Sequence, residues 1–561
     1  MLRTLLILVF ALLANVFCHA NTQIEGDWSF ISIKNDTKKI DLPISKSDSI
    51  HFDTQNKTFF YNVEAKNNLV ARGSWSIENN NTMKFVYTHP KDTVRVYKMV
   101  EAGSVFKLIE DGTVYKFRKK TGLVSLETED SSFGINLLKG FIGILVLIGI
   151  AFMASSNRKA IDWKLVIKGI VIQFVFAVLV IKVDEVAYVF DVLSQFFVTV
   201  INFTHEGTAF LFNSFVTGNL EVPLINFAIK VLPTIIFFSA LSSLLYYWGI
   251  LQKIVFVLAW IMKKAMGLSG AESLSAAGNI FLGQTESPFL VKPYIAGMTK
   301  SETMCLMVGG MATIAGGVLA AYIGFLGGGD PQAEVFFAKH LLAASVMSAP
   351  AAIVAAKILV PETEGINEVM EISKENIGEN ALEAVSNGTS DGIKLAVNVG
   401  AMLLVFTALM ALGNYVLGDI IGHYTGLNDL IVMNTPFDNL SFQMILGYIG
   451  APIAWLVGVP ADDVLLVGQL LGEKTILNEF YAYKTLGGMK DSAAFSYERS
   501  IIIATYVLCG FANFASIGIQ IGGIGVLAPN KKGMLSKLGV KALIGGTLAC
   551  LFTAAIVGIL I

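Results

Sequence analysis

Two glutamates stand inside otherwise apolar sequence, each beside residues that interrupt a helix. The first lies in Gly283-Gln284-Thr285-Glu286-Ser287-Pro288, the second in Asn478-Glu479-Phe480. An ionisable group at membrane depth is expensive, so it faces a cavity, a partner or a substrate. Irregular backbone survives at that depth only where protein or a polar cavity satisfies its N–H and C=O groups. Two such breaks at matching places in a hydrophobic chain point to a transporter's binding site.

The polar set around the breaks is Asn279, Gln284, Thr285, Glu286, Thr313, Glu479, Asn513 and Ser516. It offers amide donors and acceptors, hydroxyls and two carboxylates. That chemistry suits a neutral, hydroxyl-rich or heterocyclic solute. A carboxylate accepts from vicinal hydroxyls or ring N–H groups, and Phe511 and Phe514 can pack on a flat ring. Two acids without an arginine would repel a phosphorylated ligand. The sequence has no Ser-His-Asp set, no lysine-bearing phosphate loop and no metal-ligand cluster, so it does not read as an enzyme. Structural readings stand beside the functional one. Glu286 can be an acid paired with Lys292, Asn513 and Ser516 can be interhelical hydrogen-bond glue, and Thr313 alone would be packing.

The elements that carry these residues must be membrane helices. The chain has 561 residues, 54% hydrophobic and 15% charged, with a mean hydropathy of +0.64. That excludes an ordinary soluble protein and requires a polytopic membrane protein, in contact with lipid. Apolar runs at 135–154, 163–183, 224–247, 301–326, 335–359, 393–417, 499–521 and 540–561 are each long enough to cross the hydrocarbon core. Segments 186–200 and 251–266 suit interfacial helices. A net charge of −2 supplies no field for nucleic acid. Cys18, Cys305, Cys509 and Cys550 form no metal-type spacing, and the last three read as small apolar residues.

Residues 1–20 have a basic start, an apolar run and a small-x-small end, and read as a signal peptide. Residues 21–128 are polar and alternate, with strands expected at 24–33, 49–61, 71–77, 82–88, 93–100, 104–109 and 113–117. They form a small β-barrel or sandwich, expected in the periplasm, and Gly26-Asp27-Trp28 resembles the start of lipocalin-like domains. The membrane domain occupies 129–561. Basic residues cluster in the loops after the first, third, fifth and seventh spans, which places those loops in the cytoplasm. Lys484 and Lys490 depart from that pattern and are expected near the outer end of the second hairpin. Residues 361–392 read as a polar cytoplasmic linker between two halves.

The halves repeat. Ala259-Trp260 opens AWIMKKAMGLSGAESLSAAGNIFLGQTES, and Ala454-Trp455 opens AWLVGVPADDVLLVGQLLGEKTILNEF. Each runs through a small-residue turn, an acid (Glu272; Asp462-Asp463), a Gly with an amide (Gly278-Asn279; Gly468-Gln469), then a Gly and a Glu. Each is followed by a span with a polar, glycine-bearing middle, at 311–317 and 511–518. An odd number of crossings separates the repeats, so their topology is inverted. Stretches this short and interrupted suit re-entrant hairpins, whose helix ends leave free N–H and C=O groups at mid-membrane. The expected fold is an all-α polytopic membrane protein, eight transmembrane helices plus two re-entrant hairpins in an inverted repeat, with a small all-β domain at the N-terminus.

Four segments, GNIFLGQTESPFLVKPYI (278–295), GGMATIAGG (309–317), LNEFYAY (477–483) and CGFANFASIGIQIGG (509–523), resemble the concentrative nucleoside transporter family. The resemblance covers about 135–561 and leaves out the β domain. It implies sodium-coupled nucleoside symport by an elevator-type mechanism in a homotrimer, with no cofactor beyond the coupling ion. It implies that Gly283, Gln284, Thr285 and Glu286 meet the nucleobase, Glu479 the ribose hydroxyls, and Asn513, Ser516 and Phe511 the ribose and its surroundings. It implies a sodium site at Asn279 and Thr313 by side chain, and at Leu282 and Ile314 by backbone carbonyl. A proton-coupled transporter and a membrane sensor with a ligand-binding β domain are the alternatives.

Overall fold

The computed structural model describes residues 26–35, 40–42, 48–53, 56–63, 69–79, 82–102, 105–119, 133–216, 232–367, 369–371, 378–435 and 437–561. The expected signal peptide lies outside these residues.

The N-terminal domain is a barrel. Among the described residues nine strands follow in chain order: β1 (Gly26–Asn35), β2 (Ile40–Leu42), β3 (Ser49–Asp53), β4 (Thr58–Val63), β5 (Leu69–Asn79), β6 (Thr82–His89), β7 (Thr93–Ala102), β8 (Val105–Glu110) and β9 (Thr113–Lys119). All pair antiparallel with their neighbours, and β9 returns to β1 from Trp28↔Lys119 to Lys34↔Val114, which closes β1 and β3–β9 into a ring and leaves an open edge only on the short β2. Strand β2 is a short addition on β1 beyond the reach of β3. Period-two alternation turns Met83, Phe85 and Tyr87 inward on β6. The interior is filled with rings: Trp28, Phe52, Phe85, Phe106 and Phe117 are essentially inaccessible, and Trp28 meets Phe106 edge-on at 4.7 Å. The single strand expected at 49–61 is instead the β3–β4 hairpin. The Asp53 carboxylate accepts from the Asn56 backbone N–H at 2.9 Å, and Lys57 takes a left-handed φ of 54°.

Lys107 and Lys116 are cross-strand partners whose neighbours Phe106 and Phe117 point into the barrel, so the lysines point out. Lys107 is nevertheless buried, because a loop of the helical domain covers it. Its ammonium lies 3.2 Å from Asp438 and also donates to the Phe437 carbonyl, and Lys116 reaches Asp438 at 2.6 Å. Two adjacent like charges, unfavourable alone, share one carboxylate.

The rest is helical. Among the described residues five helices are long and apolar enough to cross a membrane: Asn136–Met153, Trp163–Lys182, Pro331–Leu359, Ala381–Gly422 and Pro529–Leu560. Pro233–Tyr247 and Ile250–Met266 would form a sixth, but bend by 77° at Gly249, whose φ is 72°. Expected span 224–247 is described only from Leu232, and segment 186–200 is part of a longer helix, Asp184–Val216. The linker is shorter than expected, since a helix already starts at Ala381. Phe141, Leu145, Ile167, Val171 and Leu404 are exposed on outer helices, an apolar surface that suits lipid.

The two halves run through the same elements. Ile250–Met266 leads to Gly270–Gly278, a break, Ser287–Leu290 and Lys292–Ile295. The broken helix Lys300–Ala312 and Gly316–Gly327 follows, then Pro331–Leu359. Phe442–Leu456 likewise leads to Val464–Ile476 and Glu479–Asp491, then Glu498–Leu508 and Phe514–Leu527, then Lys532–Leu560. Acids brace both bases: Glu272 pairs with Lys357, and Asp463 accepts from the backbone N–H groups of Ser496 (2.9 Å) and Tyr497 (3.1 Å). The broken helices cross at their breaks, where Gly510 (φ 90°) lies against the Ala312 carbonyl.

Candidate functional site

Each break ends one helix and starts another, which leaves carbonyls and N–H groups without helical partners. Thr313-Ile314-Ala315 separates the halves of the first broken helix, and Cys509–Asn513 those of the second. Asn513 is the cap of the second half: its side-chain oxygen accepts from Ser516 N–H at 2.9 Å. That fixes the amide, and its nitrogen donates to the Glu479 carboxylate at 2.7 Å. Glu479 itself opens helix Glu479–Asp491, capped by Asn478, so its charge sits at a helix N-terminus.

The other hairpin joins the same set. Gln284 at its tip donates to the Ser516 hydroxyl at 3.1 Å. A continuous path, Gln284–Ser516–Asn513–Glu479, therefore links residues that the sequence holds 195 positions apart by their numbering, all of them at least nine-tenths buried. Gln284 keeps its side-chain oxygen unpaired. An unsatisfied buried acceptor costs about 1–3 kcal/mol, so it marks a place where a ligand donor is wanted. Phe511 is buried beside this path, whereas Phe514 is exposed. Thr285 is exposed, with its methyl against Gly523.

Glu286 is placed differently. Its carboxylate accepts from the Gly283 N–H at 3.1 Å, closing the hairpin tip on itself. It also faces a cavity of about 440 Å³ between the tip and the helices Leu232–Tyr247 and Ala381–Asn414, where Ser239, Ser243, Asn387 and Asp391 contribute polar lining. The two glutamates thus look onto separate surroundings.

Asn279, just past helix Gly270–Gly278, is buried with both side-chain atoms unpartnered. It lies over Gly309, where an added Cβ would come within 2.8 Å of its nitrogen. Thr313, also buried, donates to the Gly309 carbonyl at 2.9 Å. Leu282 and Ile314 are buried on the flanking turns, and Gly316 N–H donates to the Phe281 carbonyl at 3.0 Å, tying tip to break. The orphaned carboxamide beside a hydroxyl and unwound backbone is a neutral oxygen set, which suits a hard monovalent cation. Among the described residues no group of three His, Cys, Asp or Glu side chains could hold a metal.

Sequence reasoning passed over three neighbours. Gln520 donates to the Met307 carbonyl at 2.9 Å and leaves its oxygen unpaired. Tyr322 stacks on Tyr483 at 4.2 Å and meets Phe480 edge-on behind the second break. Lys474 is fully buried against the second broken helix. Gln520 and Lys474 carried a signal, as polar residues inside apolar runs; the tyrosines carried none.

A membrane protein built of two like halves, with paired polar breaks meeting at its centre, defines a solute transporter. Three family models match: "Na+ dependent nucleoside transporter N-terminus" over residues 142–215, "Nucleoside recognition" over 228–329 and "Na+ dependent nucleoside transporter C-terminus" over 340–558. The chain is 41% identical over 433 residues to an uncharacterized transporter of Haemophilus influenzae, covering 76% of this chain and 98% of that one. It is 39% identical over 451 residues to human solute carrier family 28 member 3, covering 78% of this chain and 61% of the relative. A solved structure of CNTnw in an inward-facing substrate-bound state superposes with a TM-score of 0.69 at 37% identity, covering 76% of this chain and 97% of that one. The chain belongs to the concentrative nucleoside transporter family. The matched family models begin at residue 142, beyond the barrel.

Proposed function

We propose that this protein is a sodium–nucleoside symporter of a bacterial inner membrane. The observation that carries the reading is the buried path Gln284–Ser516–Asn513–Glu479, which joins the two breaks, leaves the Gln284 side-chain oxygen unpaired at one end and ends on the Glu479 carboxylate at the other, two acceptors for a solute bearing N–H and O–H donors. Gly283, Gln284, Thr285 and Glu286 take the nucleobase side, and Glu479, Asn513, Ser516 and Phe511 the ribose side. Sodium binds Asn279 and Thr313 by side chain and Leu282 and Ile314 by carbonyl. The unpaired Asn279 carboxamide supports that assignment.

Sodium at this place orders the first hairpin tip before nucleoside arrives, since Asn279 and the Phe281–Gly316 bond lie on either side of it. The chain crosses the membrane eight times with two re-entrant hairpins, residues 21–128 lie in the periplasm after removal of 1–20, and three copies assemble. The hairpins and broken helices move together against the remaining helices, elevator fashion. The equal order of elements in the two halves supports this division.

Uridine uptake into vesicles with imposed sodium or proton gradients tests the reading. Accumulation driven by sodium alone is expected. Accumulation driven only by protons would move the coupling to the proton alternative, and no uptake of any nucleoside would favour the sensor.

A further inference from the structure

Lys474 occupies the last turn of helix Val464–Ile476 and is fully buried. Its ammonium donates to the Val507 and Cys509 carbonyls, each at 3.0 Å, and touches the Cys550 sulfur at 3.3 Å. Three donors meet three acceptors, and all three acceptors are uncharged. Among the described residues no carboxylate lies within ion-pair distance of it. Glu479 attracts it from farther off, but a buried ammonium with no carboxylate in contact is strongly disfavoured, so its immediate surroundings must themselves attract positive charge. They do: Val507 and Cys509 are the C-terminal end of helix Glu498–Leu508, where orphan carbonyls gather and the helix dipole is negative.

The first half builds the same end and leaves it without a lysine. Helix Lys300–Ala312 also stops at a break, and it is met there by Asn279, which is neutral and unpartnered. The two ends are adjacent. Gly510 packs against the Ala312 carbonyl, and the Cys550 sulfur contacts both the Cys509 carbonyl and, at 3.8 Å, that of Ala312. Two equivalent half-helix ends therefore stand side by side, one held by a covalently tethered cation and the other by a set of neutral ligands.

We propose that the Lys474 ammonium is the resident cation of the second repeat, holding the place that a mobile cation holds in the first, and that it thereby limits how many cations each transport cycle takes up. The inference rests on the symport reading above. Its consequence is an asymmetry. The second hairpin is fixed to its broken helix whatever the ion concentration, so only the first hairpin answers to sodium.

Lys474→Ala in the full chain, reconstituted in proteoliposomes, tests this. The space vacated is bounded by carbonyls and should admit a small cation. The expected result is uridine uptake whose dependence on sodium rises in order by about one over the parent, or uptake that is lost and then restored by millimolar ammonium or methylammonium. A purely structural lysine would give neither. Uptake at the parental rate with the parental sodium order would overturn the proposal. So would a folded variant that keeps its sodium-dependent thermal shift yet responds to no added cation. If Lys474→Ala purifies in neither sodium nor ammonium buffer, Lys474→Met and Lys474→Arg decide. Uptake with the parental sodium order in the arginine variant, and none in a methionine variant that still binds sodium, supports the proposal. Parental behaviour of Lys474→Met, or a methionine variant that is the only folded one, defeats it. Absence of sodium-driven uptake in the parent would instead defeat the symport reading.

Discussion

Replacing Glu479 by glutamine changes one atom and reverses the polarity of half a group. The carboxylate offers about four acceptor positions, of which the Asn513 amide uses one at 2.7 Å. A glutamine can keep that bond through its oxygen, and the Asn513 cap on Ser516 N–H then stays in place. The remaining oxygen becomes an NH₂ group, which in the proposed ribose site is a donor set against the hydroxyl donors of the sugar. Each charge-assisted hydrogen bond contributes about 1.5 kcal/mol or more, so losing two costs about 3 kcal/mol. At about 1.4 kcal/mol per tenfold, apparent uridine affinity should fall more than a hundredfold. Thermal stability without ligand should change little. The assay is uridine concentration dependence of uptake into proteoliposomes under a fixed sodium gradient, with the melting temperature as control. A Glu479→Gln protein that transports with parental affinity would show that this carboxylate does not hold the sugar.

Other residues give equally direct outcomes. Asn279→Ala should leave the melting temperature in sodium-free buffer unchanged or slightly raised, because its carboxamide has no partner to lose, and should abolish the sodium-dependent thermal shift. Gly510→Ala forces a Cβ to 2.5 Å from the Ala312 carbonyl at a φ of 90°, and should destabilise the protein by about 3 kcal/mol or more, read as loss of monodisperse material or a lowered melting temperature. Burial raises the Asp438 carboxyl, but Lys116 and then Lys107 outweigh it and hold the group below the ordinary carboxylate range. A depressed carboxyl stabilises above its undocked value and ceases to as pH falls through its docked one, so the barrel should stay docked at neutral pH and loosen in acid. Spin-label distances between the barrel and helix Phe442–Leu456 would follow this, and Asp438→Asn should show the loosened distance at neutral pH.

Much of the helical core was legible because its signals were local. The breaks at Gly283–Pro288 and Asn478-Glu479 announced themselves by polar residues in apolar runs, and the repeat was readable from landmarks such as Glu272 and Asp463. What the sequence could not reveal was partnership. Glu286 and Glu479 looked like a pair, yet one closes its own hairpin tip and the other binds Asn513. The first partner is local, three residues away, but nothing in the sequence around Glu479 announces Asn513, thirty-four residues on. In the barrel, alternation located most strands but merged β3 and β4, since Asp53-Thr54-Gln55-Asn56-Lys57 contains no Gly or Pro to mark its turn. Lys107 reads as an ordinary outward position on β8, and only the loop at Phe437 and Asp438 buries it.

In the proposed symport one site couples a nucleoside to sodium through adjoining ligands. Calorimetric uridine titrations of the purified protein at low and high sodium, with the reciprocal sodium titrations without and with uridine, test it most directly. Linkage requires the two ligands to tighten one another by the same factor. The expected factor is well above one in the parent and one in Asn279→Ala. Uridine binding of equal strength with and without sodium in the parent would contradict it.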